Sequence, residues 1–503
     1  MENLTFAGPI GIAILVFYAV LLLVIGYFAG RTKPGARKDS RNYYLAGGGL
    51  GFVTLFFTLY ATQYSGNNIV GYPPQAYRSG FTWWHSVPFM IAVIAAYLMF
   101  APRLYGIAKR RGFVTPTDWI RHRFNSTPVT VLAIILMLWG LSNYLLEQLV
   151  AMGQGISGLT GDTIPYQVGV VAFILVMIIY SWMGGMRAVA FTDVFQGLAM
   201  LVGIFSLVVG ALYLVEGNLA GVTSYLVANE PQAVAVPELK DSVNWVAMII
   251  MIGLGASVYP HAIQRIYAAR SERVLKRSLS FMAWMPLLTT AVVFVVGIIG
   301  IQLYPGLTDT QSEQLVGAIA NQVAGINVIY FVLMVLLFGG VIMAIVCTAD
   351  SALLSFSSIV SRDLYQRYVN PRASEAGALK VGKLAGIALI AALLVIAWNP
   401  PTTLYNIFVL KFEVIVQVAP AFMLGLYWKR LSAGAVFWGM AAGAAFAGTM
   451  TMIGADLYGV PGGLVGLVIN AAICVVGSYF RPAPTTTLED PAEERSAEAK
   501  EES

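Results

Sequence analysis

A break in the apolar pattern near position 65 contains the residues best suited to bind an ion or a polar solute. The tetrapeptide Ser65-Gly66-Asn67-Asn68 separates an apolar run that ends at Leu59 from the pair Pro73-Pro74. A helix interrupted in this way leaves backbone groups without helical partners, which a membrane tolerates only where they are buried in protein or line a polar cavity. Many secondary transporters coordinate their ion and solute at such interruptions. The candidate solute-binding residues here are Gln63, Ser65, Asn67 and Asn68.

A second interruption lies in the segment 253–261. There Gly253 and Gly255 precede the sequence Tyr259-Pro260-His261. Glycine weakens a helix interior and proline removes a backbone donor, so this segment is also predicted to lose helical hydrogen bonds. Ser257 and Tyr259 are further candidate solute-binding residues. His261 is interpreted as a capping or packing residue.

A lysine in the middle of an apolar run is the third chemical feature. Lys411 lies about nine residues into its predicted helix, too deep for its ammonium to reach the membrane surface easily. A buried lysine suits a carboxylate solute, and the alternative is a structural ion pair with Glu413 or Glu147. Gln417 follows on the same helix as a candidate solute-binding residue.

The composition identifies the elements that position these residues as membrane helices. Of the 503 residues, 58% are apolar and 11% are charged, whereas a soluble chain carries about 25% charged residues. Cys347 and Cys474 both lie inside apolar runs, so no disulfide framework is predicted. The sequence contains no nucleophile–base constellation, no metal-ligand spacing and no phosphate-binding loop. It therefore predicts neither an enzyme nor a protein with an organic cofactor.

Apolar runs of about twenty residues predict an all-α polytopic membrane protein with about 13 transmembrane helices. The predicted helix cores are residues 10–28, 50–72, 82–101, 128–152, 165–183, 190–215, 243–261, 279–303, 327–360, 379–397, 403–427, 433–453 and 462–480. Every second connection between predicted helices is basic, and Arg123 and Arg265 are counted among the basic residues of these connections. The intervening connections hold only two basic residues, Arg78 and Lys240. The positive-inside rule then predicts an N-terminus outside and a C-terminus in the cytoplasm.

Residues 1–480 are predicted to form one transporter domain in the plasma (inner) membrane, and the acid-rich residues 481–503 a disordered cytoplasmic tail. The net charge of +5 is mostly an orientation signal, so no nucleic-acid partner is implied. The first apolar run lacks a preceding basic region and is interpreted as a transmembrane helix rather than a signal peptide. The two breaks lie five spans apart. This spacing predicts two inverted five-helix repeats, at about 48–215 and 243–428.

Four stretches of the chain resemble one known family. Residues 180–197 read YSWMGGMRAVAFTDVFQG, and the shorter stretches are YYLAGG at 43–48, YPHAIQR at 259–265 and GLYWKR at 425–430. Together they resemble the sodium:solute symporter family, which carries proline, pantothenate, monocarboxylates, sialic acid and sugars, over about residues 43–443. The resemblance implies a LeuT-type 5+5 inverted repeat with one extra helix before the core and two after it.

The resemblance also implies a sodium site between the first break and the ninth predicted span. Its carbonyl donors would be those of Ala61, Tyr64 and Ala344, with the hydroxyl of Thr348 beside them. Such oxygens suit a hard cation. Cys347 stands where the family usually has a serine, and a thiol is a poor ligand for a hard ion, so it either ligates weakly or only packs.

The same resemblance adds two carboxylates to the candidate ion site. Asp350 stands where family members with a second sodium site have a hydroxyl, and Asp193 corresponds to the acidic partner of that site. Ser351, the residue after Asp350, is the last candidate ion ligand of this segment. The two aspartates either form a sodium site with extra charge or include a proton carrier. A structural alternative is that Asp193 accepts a hydrogen bond from Arg187 or from the N-terminal amides of its helix.

The sequence therefore predicts a secondary active transporter that couples Na⁺ movement to the uptake of a small organic solute by alternating access. Lys411 favours a monocarboxylate or a similar small carboxylate. The alternatives are a proton-coupled symporter on the same fold and a transporter-like solute sensor. The predicted partners are the solute and the lipid bilayer, with no obligate protein partner implied.

Overall fold

The computed structural model of the chain describes residue 6 and residues 8–30, 40–183 and 185–480, with the side chains of 29, 30, 40, 67 and 183 left out. Within these ranges the protein is helical, and its only β-type pairings are two isolated bridges. The predicted tail, 481–503, and the basic stretch 31–39 lie outside the described residues. The α-helices are α1 (Pro9–Gly30), α2 (Ser40–Leu45), α3 (Phe52–Gln63), α4 (Gly66–Val70), α5 (Tyr72–Ser79), α6 (Ser86–Arg111), α7 (Thr117–Phe124), α8 (Thr127–Leu159), α9 (Tyr166–Met183), α10 (Met186–Leu214), α11 (Leu219–Asn229), α12 (Leu239–Ser257), α13 (Pro260–Ala268), α14 (Glu272–Met282), α15 (Ala291–Leu303), α16 (Asp309–Ser312), α17 (Leu315–Ala324), α18 (Val328–Ser358), α19 (Glu375–Ala397), α20 (Leu404–Ile415), α21 (Ala419–Tyr427), α22 (Ala433–Met452) and α23 (Gly462–Tyr479).

Eleven helical segments of the described chain are long and apolar enough to cross a membrane. The two remaining predicted spans correspond to shorter apolar helices, α3 and most of α9. An all-helical architecture follows from the composition, because a helix satisfies its own backbone hydrogen bonds in lipid. The polytopic α-helical fold class is thus confirmed, while the count of thirteen spans stays a prediction.

The interrupted helices lie inside the bundle. The α3 helix packs against α10 and α14, and α12 packs against α6 and α20. Long helices α10 and α18 lie side by side, whereas α22 and α23 form a pair that contacts α8 and α20. Helix α1 lies on α9 and α10. The repeat bounds 48–215 and 243–428 stay predictions.

The first predicted break is present where the sequence placed it. Helix α3 ends at Gln63, Tyr64 leaves the helical region with φ −113° and ψ 71°, and α4 starts at Gly66. A β-carbon on Gly66 would lie 2.0 Å from Ile345 Cγ1 of α18. Glycine is therefore required here because it lets α18 approach the break closely.

The second break is also present, between Ser257 at the end of α12 and Pro260 at the start of α13. Tyr259 is in an extended conformation with φ −54° and ψ 132°. Proline at the first helical position needs no backbone donor and has a fixed φ that suits the new helix. Local sequence chemistry thus explains both the end of α12 and the restart as α13.

A backbone clamp joins the two interrupted segments at one end of the bundle. The amide of Leu50 donates to the carbonyl of Ala268 at 3.0 Å, and the amide of Arg270 donates to the carbonyl of Leu50 at 3.0 Å. Leu50 precedes α3 and Ala268 ends α13. The clamp therefore ties the start of one broken helix to the end of the other. This end of the bundle is predicted to face the cytoplasm.

Two basic residues counted in the predicted cytoplasmic connections are buried, with 2% exposure for Arg123 and 1% for Arg265. The guanidinium of Arg123 donates to the carbonyl oxygens of Gly425 and Trp428, both at 2.9 Å. Composition does not reveal this burial, and the cytoplasmic placement of the two residues stays a prediction. Arginine is well suited to such sites, since its planar group offers five donors.

Candidate functional site

Side chains from neighbouring helices link the two breaks. The amide nitrogen of Gln63 donates to the hydroxyl oxygen of Tyr97 at 2.7 Å, and that hydroxyl donates to the carbonyl of Ala256 at 3.1 Å. Gln63 is the last residue of α3, Tyr97 belongs to α6, and Ala256 lies in the last turn of α12. The breaks therefore lie close together in the interior, as the inverted-repeat prediction requires.

The break in α3 exposes carbonyl oxygens to side-chain donors. The Thr348 hydroxyl donates to the carbonyl of Ala61 at 3.2 Å, and the Tyr144 hydroxyl donates to the carbonyl of Thr62 at 3.0 Å. Helix ends leave such carbonyls unsatisfied, so other groups or a bound ion must satisfy them. The structure brings together two of the predicted ion ligands, Ala61 and Thr348, and both residues are 2% exposed.

The other predicted ligands of this site are all buried. Tyr64 and Ala344 have no exposed surface, and Cys347 has none either. The Cys347 thiol donates to the Thr192 hydroxyl of α10 at 3.1 Å. This contact directs the thiol to α10, which matches the packing alternative for Cys347.

Asp193 belongs to a dense polar network. Its carboxylate accepts a hydrogen bond from the Thr58 hydroxyl and another from the Gln196 amide at 2.9 Å, and it lies 3.6 Å from the Arg265 guanidinium. Asp193 and Arg265 side chains are each 1% exposed. The structural partner of Asp193 is thus Arg265 and not Arg187, which is exposed.

Arg265 connects four helices through this network. Its Nε donates to the Thr58 hydroxyl at 2.9 Å and its Nη2 donates to the Ser351 hydroxyl at 2.8 Å. Its Nη1 donates to the carbonyl of His261 at 3.2 Å. Two side chains predicted to bind a cation, Asp193 and Ser351, therefore already face a fixed positive group.

Asp350 lies in a separate pocket. One of its oxygens accepts a hydrogen bond from the Ser181 hydroxyl, and the other, Oδ2, is buried without a partner among the described residues. The pocket is also lined by Tyr43, Trp182 and Lys383. Asp350 and Asp193 thus have different partners, although the resemblance assigned them to one site.

Lys411 forms a buried ion pair with Glu147 of α8, and each side chain is 1% exposed. The other proposed partner, Glu413, instead accepts the backbone amide of Gly463. Residues two apart on a helix do not face each other, which explains why Lys411 does not bond Glu413. The ammonium lies over the aromatic rings of Tyr144 at 4.3 Å, Phe408 at 4.5 Å, Phe412 at 5.2 Å and Tyr259 at 5.6 Å.

The remaining candidate solute residues fall into two groups. Near the breaks, Ser65, Asn68 and Tyr259 are buried, and the Tyr259 hydroxyl and the Asn68 amide nitrogen have no hydrogen-bond partner among the described residues. The Ser257 hydroxyl donates to the carbonyl of Leu254 at 2.8 Å. Gln417 donates to the carbonyl of Gly463 at 2.8 Å and thereby joins α23 to the bundle. The side chain of Asn67 lies outside the described residues.

Three residues of this region were missed from the sequence as site residues. Arg265 was counted only as a basic residue of a cytoplasmic connection, although it ends the stretch 259–265 that carries the family resemblance. Tyr97 and Tyr144 bind carbonyl oxygens of the two breaks. A tyrosine in an apolar helix gives no signal of such a role, so only the packing reveals it.

The donor chemistry of the region suits a small hard cation better than a transition metal. Within the described ranges, no group of three or more His, Cys, Asp or Glu residues could hold a metal ion. The available donors at the first break are instead backbone carbonyls and the Thr348 hydroxyl. Hard cations such as sodium bind oxygen ligands of this kind.

Comparisons with known proteins agree with this geometry. Residues 43–443 match the family model described as "Sodium:solute symporter family". A sodium/pantothenate symporter of Escherichia coli strain K12 is 24% identical over 477 residues, which cover 93% of this chain and 95% of that protein. A sodium/glucose cotransporter of Vibrio parahaemolyticus is 26% identical over 87% of this chain and 84% of its own length.

Solved structures show a similar fold. The substrate-bound, outward-open state of a Na⁺-coupled sialic acid symporter superposes with a TM-score of 0.77 at 21% identity, covering 95% of this chain and 99% of that one. A complex of MhsT with L-phenylalanine gives a TM-score of 0.52 at 13% identity, with coverage of 88% and 100%. The inverted-repeat transporter fold predicted from the sequence is confirmed.

Proposed function

We propose a function from one established premise, that the chain belongs to the sodium:solute symporter family. Members of this family are transporters and not enzymes, and sodium is their coupling ion. We propose that this protein couples inward sodium movement to the uptake of a small organic solute, a monocarboxylate or similar small carboxylate. It would do so in the plasma membrane, with its N-terminus outside and its C-terminus in the cytoplasm.

The contact between Thr348 and the carbonyl of Ala61 carries the sodium part of the proposal. It places a hydroxyl from α18 against an unpaired carbonyl of the first break, at 3.2 Å. In the proposed site, sodium inserts between these oxygens and also takes the carbonyls of Tyr64 and Ala344. Asp193 and Ser351 are left out of this site because Arg265 already contacts both.

The buried Lys411 supports a carboxylate as the solute. Its ammonium is paired with Glu147 and surrounded by aromatic rings. A small carboxylate could replace Glu147 as its partner while its apolar part contacts the rings. Charged groups inside a membrane protein are costly and face the interior or a cavity, where they serve substrate or ion pathways.

Alternating access requires a closed end and an end that opens. The proposed closed end contains the clamp between Leu50 and Ala268 and the Arg265 network just inside it. Both lie on the side predicted to face the cytoplasm. In the proposed cycle, sodium and solute enter from the opposite side, and release requires these contacts to break.

Proteoliposome uptake would test the proposal directly. We would impose a sodium gradient at fixed pH and measure uptake of lactate, pyruvate, acetate, pantothenate and proline. The expected result is sodium-dependent uptake of at least one monocarboxylate. Sodium-driven uptake of proline alone, a zwitterion without net charge, and of none of the four anionic carboxylates would contradict the carboxylate assignment and leave the symporter class intact.

A proton-coupled symporter is the second candidate, and Asp350 favours it. Its oxygen Oδ2 is buried without a partner among the described residues. Cys347 offers no oxygen ligand, and its thiol donates a hydrogen bond to the Thr192 hydroxyl. In a proton-coupled transport cycle Asp350 would carry the proton. Uptake driven by an imposed proton gradient in the absence of sodium, and abolished in Asp350→Asn, would favour it over sodium coupling.

A further inference from the structure

A basic cleft opens at the end of the bundle where α6, α7 and the segment after α18 meet. Its volume is about 780 Å³, which is in the range of pockets that hold ligands. The cleft shares no lining residue with the candidate transport site. The residues that give it its chemistry are Arg111, Arg121, His122, Asn125, Arg362 and Arg367.

Buried aspartates hold the walls of this cleft in place. Asp118 accepts the backbone amides of Val114 and Thr115 at 2.8 and 2.9 Å, which fixes the turn between α6 and α7. Asp363 accepts the hydroxyl of Thr115 at 3.1 Å and that of Thr117 at 2.5 Å. These bonds join the segment that carries Arg362 and Arg367 to the turn that precedes Arg121.

The charge of the cleft is positive and partly unmatched. Its described lining has four arginines against one carboxylate, Asp118, which is already paired with Arg121 at 2.7 Å. Neither Arg362 nor Arg367 forms an ion pair with a described residue, and Arg367 is exposed. The cleft is therefore suited to a ligand with several negative charges.

The last described helix and the cleft both adjoin helix α7. The ring of Tyr479, the final residue of α23, lies 5.9 Å from the ring of Trp428. The carbonyl of Trp428 accepts a hydrogen bond from Arg123 of α7 at 2.9 Å. The neighbours of Arg123 on α7 are Arg121 and His122, which line the cleft. The end of α23 thus lies beside Trp428, which contacts α7, and other residues of α7 line the cleft.

The segment that follows α23 has the complementary charge. Residues 481–503 contain seven acidic and three basic residues, so their net charge is −4. The first acidic residue, Glu489, is separated from Phe480 by eight residues, which extend over at most roughly 26–29 Å. We propose that the acidic segment Glu489–Glu502 binds in the arginine cleft through its carboxylates. This inference does not rest on the identity of the transported solute or ion.

Disulfide trapping in the full-length protein tests this proposal. The natural Cys347 and Cys474 are buried, so the added pair Tyr368→Cys and Ser496→Cys reports on the cleft. Tyr368 is 43% exposed and adjoins Arg367. The matched control is Ser280→Cys with Ser496→Cys, because Ser280 is exposed on α14 among basic residues predicted to face the same side. The protein is embedded in phosphatidylcholine vesicles and oxidised with copper phenanthroline.

We expect at least fivefold more disulfide at position 368 than at position 280. Raising salt from 0.1 to 1 M shortens the Debye length from about 10 to about 3 Å and should lower the yield. Arg362→Glu with Arg367→Glu should lower it fivefold. Adding Glu489→Lys, Asp490→Lys, Glu493→Lys and Glu494→Lys to that variant should restore it.

Three results would overturn the proposal. Equal yields at positions 368 and 280 would mean that the segment has no preferred surface. A yield unaffected by both salt and charge reversal would mean that the contact is not electrostatic. Loss of the disulfide when phosphatidylglycerol replaces phosphatidylcholine would assign the cleft to anionic lipid headgroups instead. The salt series needs no substitution in the cleft, so it remains decisive if the reversed variant does not fold.

Discussion

Two buried ion pairs of this protein have the same charges and burial but opposite surroundings. Asp193–Arg265 and Glu147–Lys411 are each about 1% exposed. The Arg265 guanidinium has hydrogen bonds to Thr58, Ser351 and a backbone carbonyl. The Lys411 ammonium has Glu147 and the faces of aromatic rings instead.

This difference indicates different roles. The planar guanidinium holds several helices in one arrangement, because each of its donors is aimed at a fixed acceptor. The lysine ammonium is a point charge on a flexible stem, and aromatic faces attract it without fixing its direction. The first pair is therefore suited to holding a conformation, and the second to exchanging its partner for a solute.

The largest expected effect comes from neutralising both members of the Asp193–Arg265 pair, and the same change in the Glu147–Lys411 pair is its control. Asp193→Asn with Arg265→Gln should lower the free energy of unfolding by about 3 kcal/mol, since Thr58, Ser351 and the His261 carbonyl lose a charged partner. Glu147→Gln with Lys411→Gln should change it by less than about 1 kcal/mol, because neutral replacement of a buried pair is often tolerated. Unfolding in detergent measures both, and similar losses for the two double variants would break the comparison.

The next effect concerns solute selectivity. Lys411→Gln should reduce kcat/KM for carboxylate uptake at least tenfold, which corresponds to about 1.4 kcal/mol, and should affect neutral solutes less. The double variant with Glu147→Gln is the control, because it also removes the buried negative charge that the single variant retains. Equal losses for carboxylates and neutral solutes in both variants would show that Lys411 is structural, as Arg265 is.

A smaller effect is expected at the first break. Thr348→Ala removes the hydroxyl that faces the Ala61 carbonyl, and loss of one such interaction costs about 1 kcal/mol. The apparent sodium affinity should therefore fall about fivefold, as read from uptake against sodium concentration. Thr348→Ser retains the hydroxyl and should behave like the natural protein. An unchanged sodium dependence in Thr348→Ala would remove Thr348 from the ion site.

The smallest effect is expected for Cys347→Ser. The thiol donates to Thr192, and a serine hydroxyl can make the same bond, so the apparent sodium affinity should change less than twofold, about 0.4 kcal/mol. Thr192→Val in the same assay tests whether this contact positions α18. A large gain of sodium affinity in Cys347→Ser would instead mean that position 347 ligates the ion.

The helix breaks could be predicted because their causes are local. Glycine, proline and asparagine disfavour a continuous helix wherever they stand, and the structure has its interruptions after Gln63 and Ser257. The sequence offered two glutamates, Glu413 and Glu147, as partners of Lys411 and did not decide between them. Glu413 is excluded by helix geometry, whereas Glu147 is 264 residues away.

Charge patterns were less informative about position. Arg123 and Arg265 were counted as basic residues of cytoplasmic connections, and the structure shows that both are buried. A positive residue near a predicted helix end can face water or turn inward. The choice depends on acceptors from other helices, such as the carbonyl of Gly425 or the carboxylate of Asp193. No local pattern records those acceptors.

The sequence by itself determined the membrane class, the transporter family and the two interruptions, because composition, signature residues and helix-breaking residues act over a few turns. Only the tertiary structure decided which buried charges pair, which carbonyls meet a hydroxyl and where Asp350 lies relative to Asp193. These features join residues that lie far apart in the chain, as in the contact of Thr348 with Ala61, 287 positions earlier. Their energies depend on burial and on the direction of each donor, and both arise only when the helices pack.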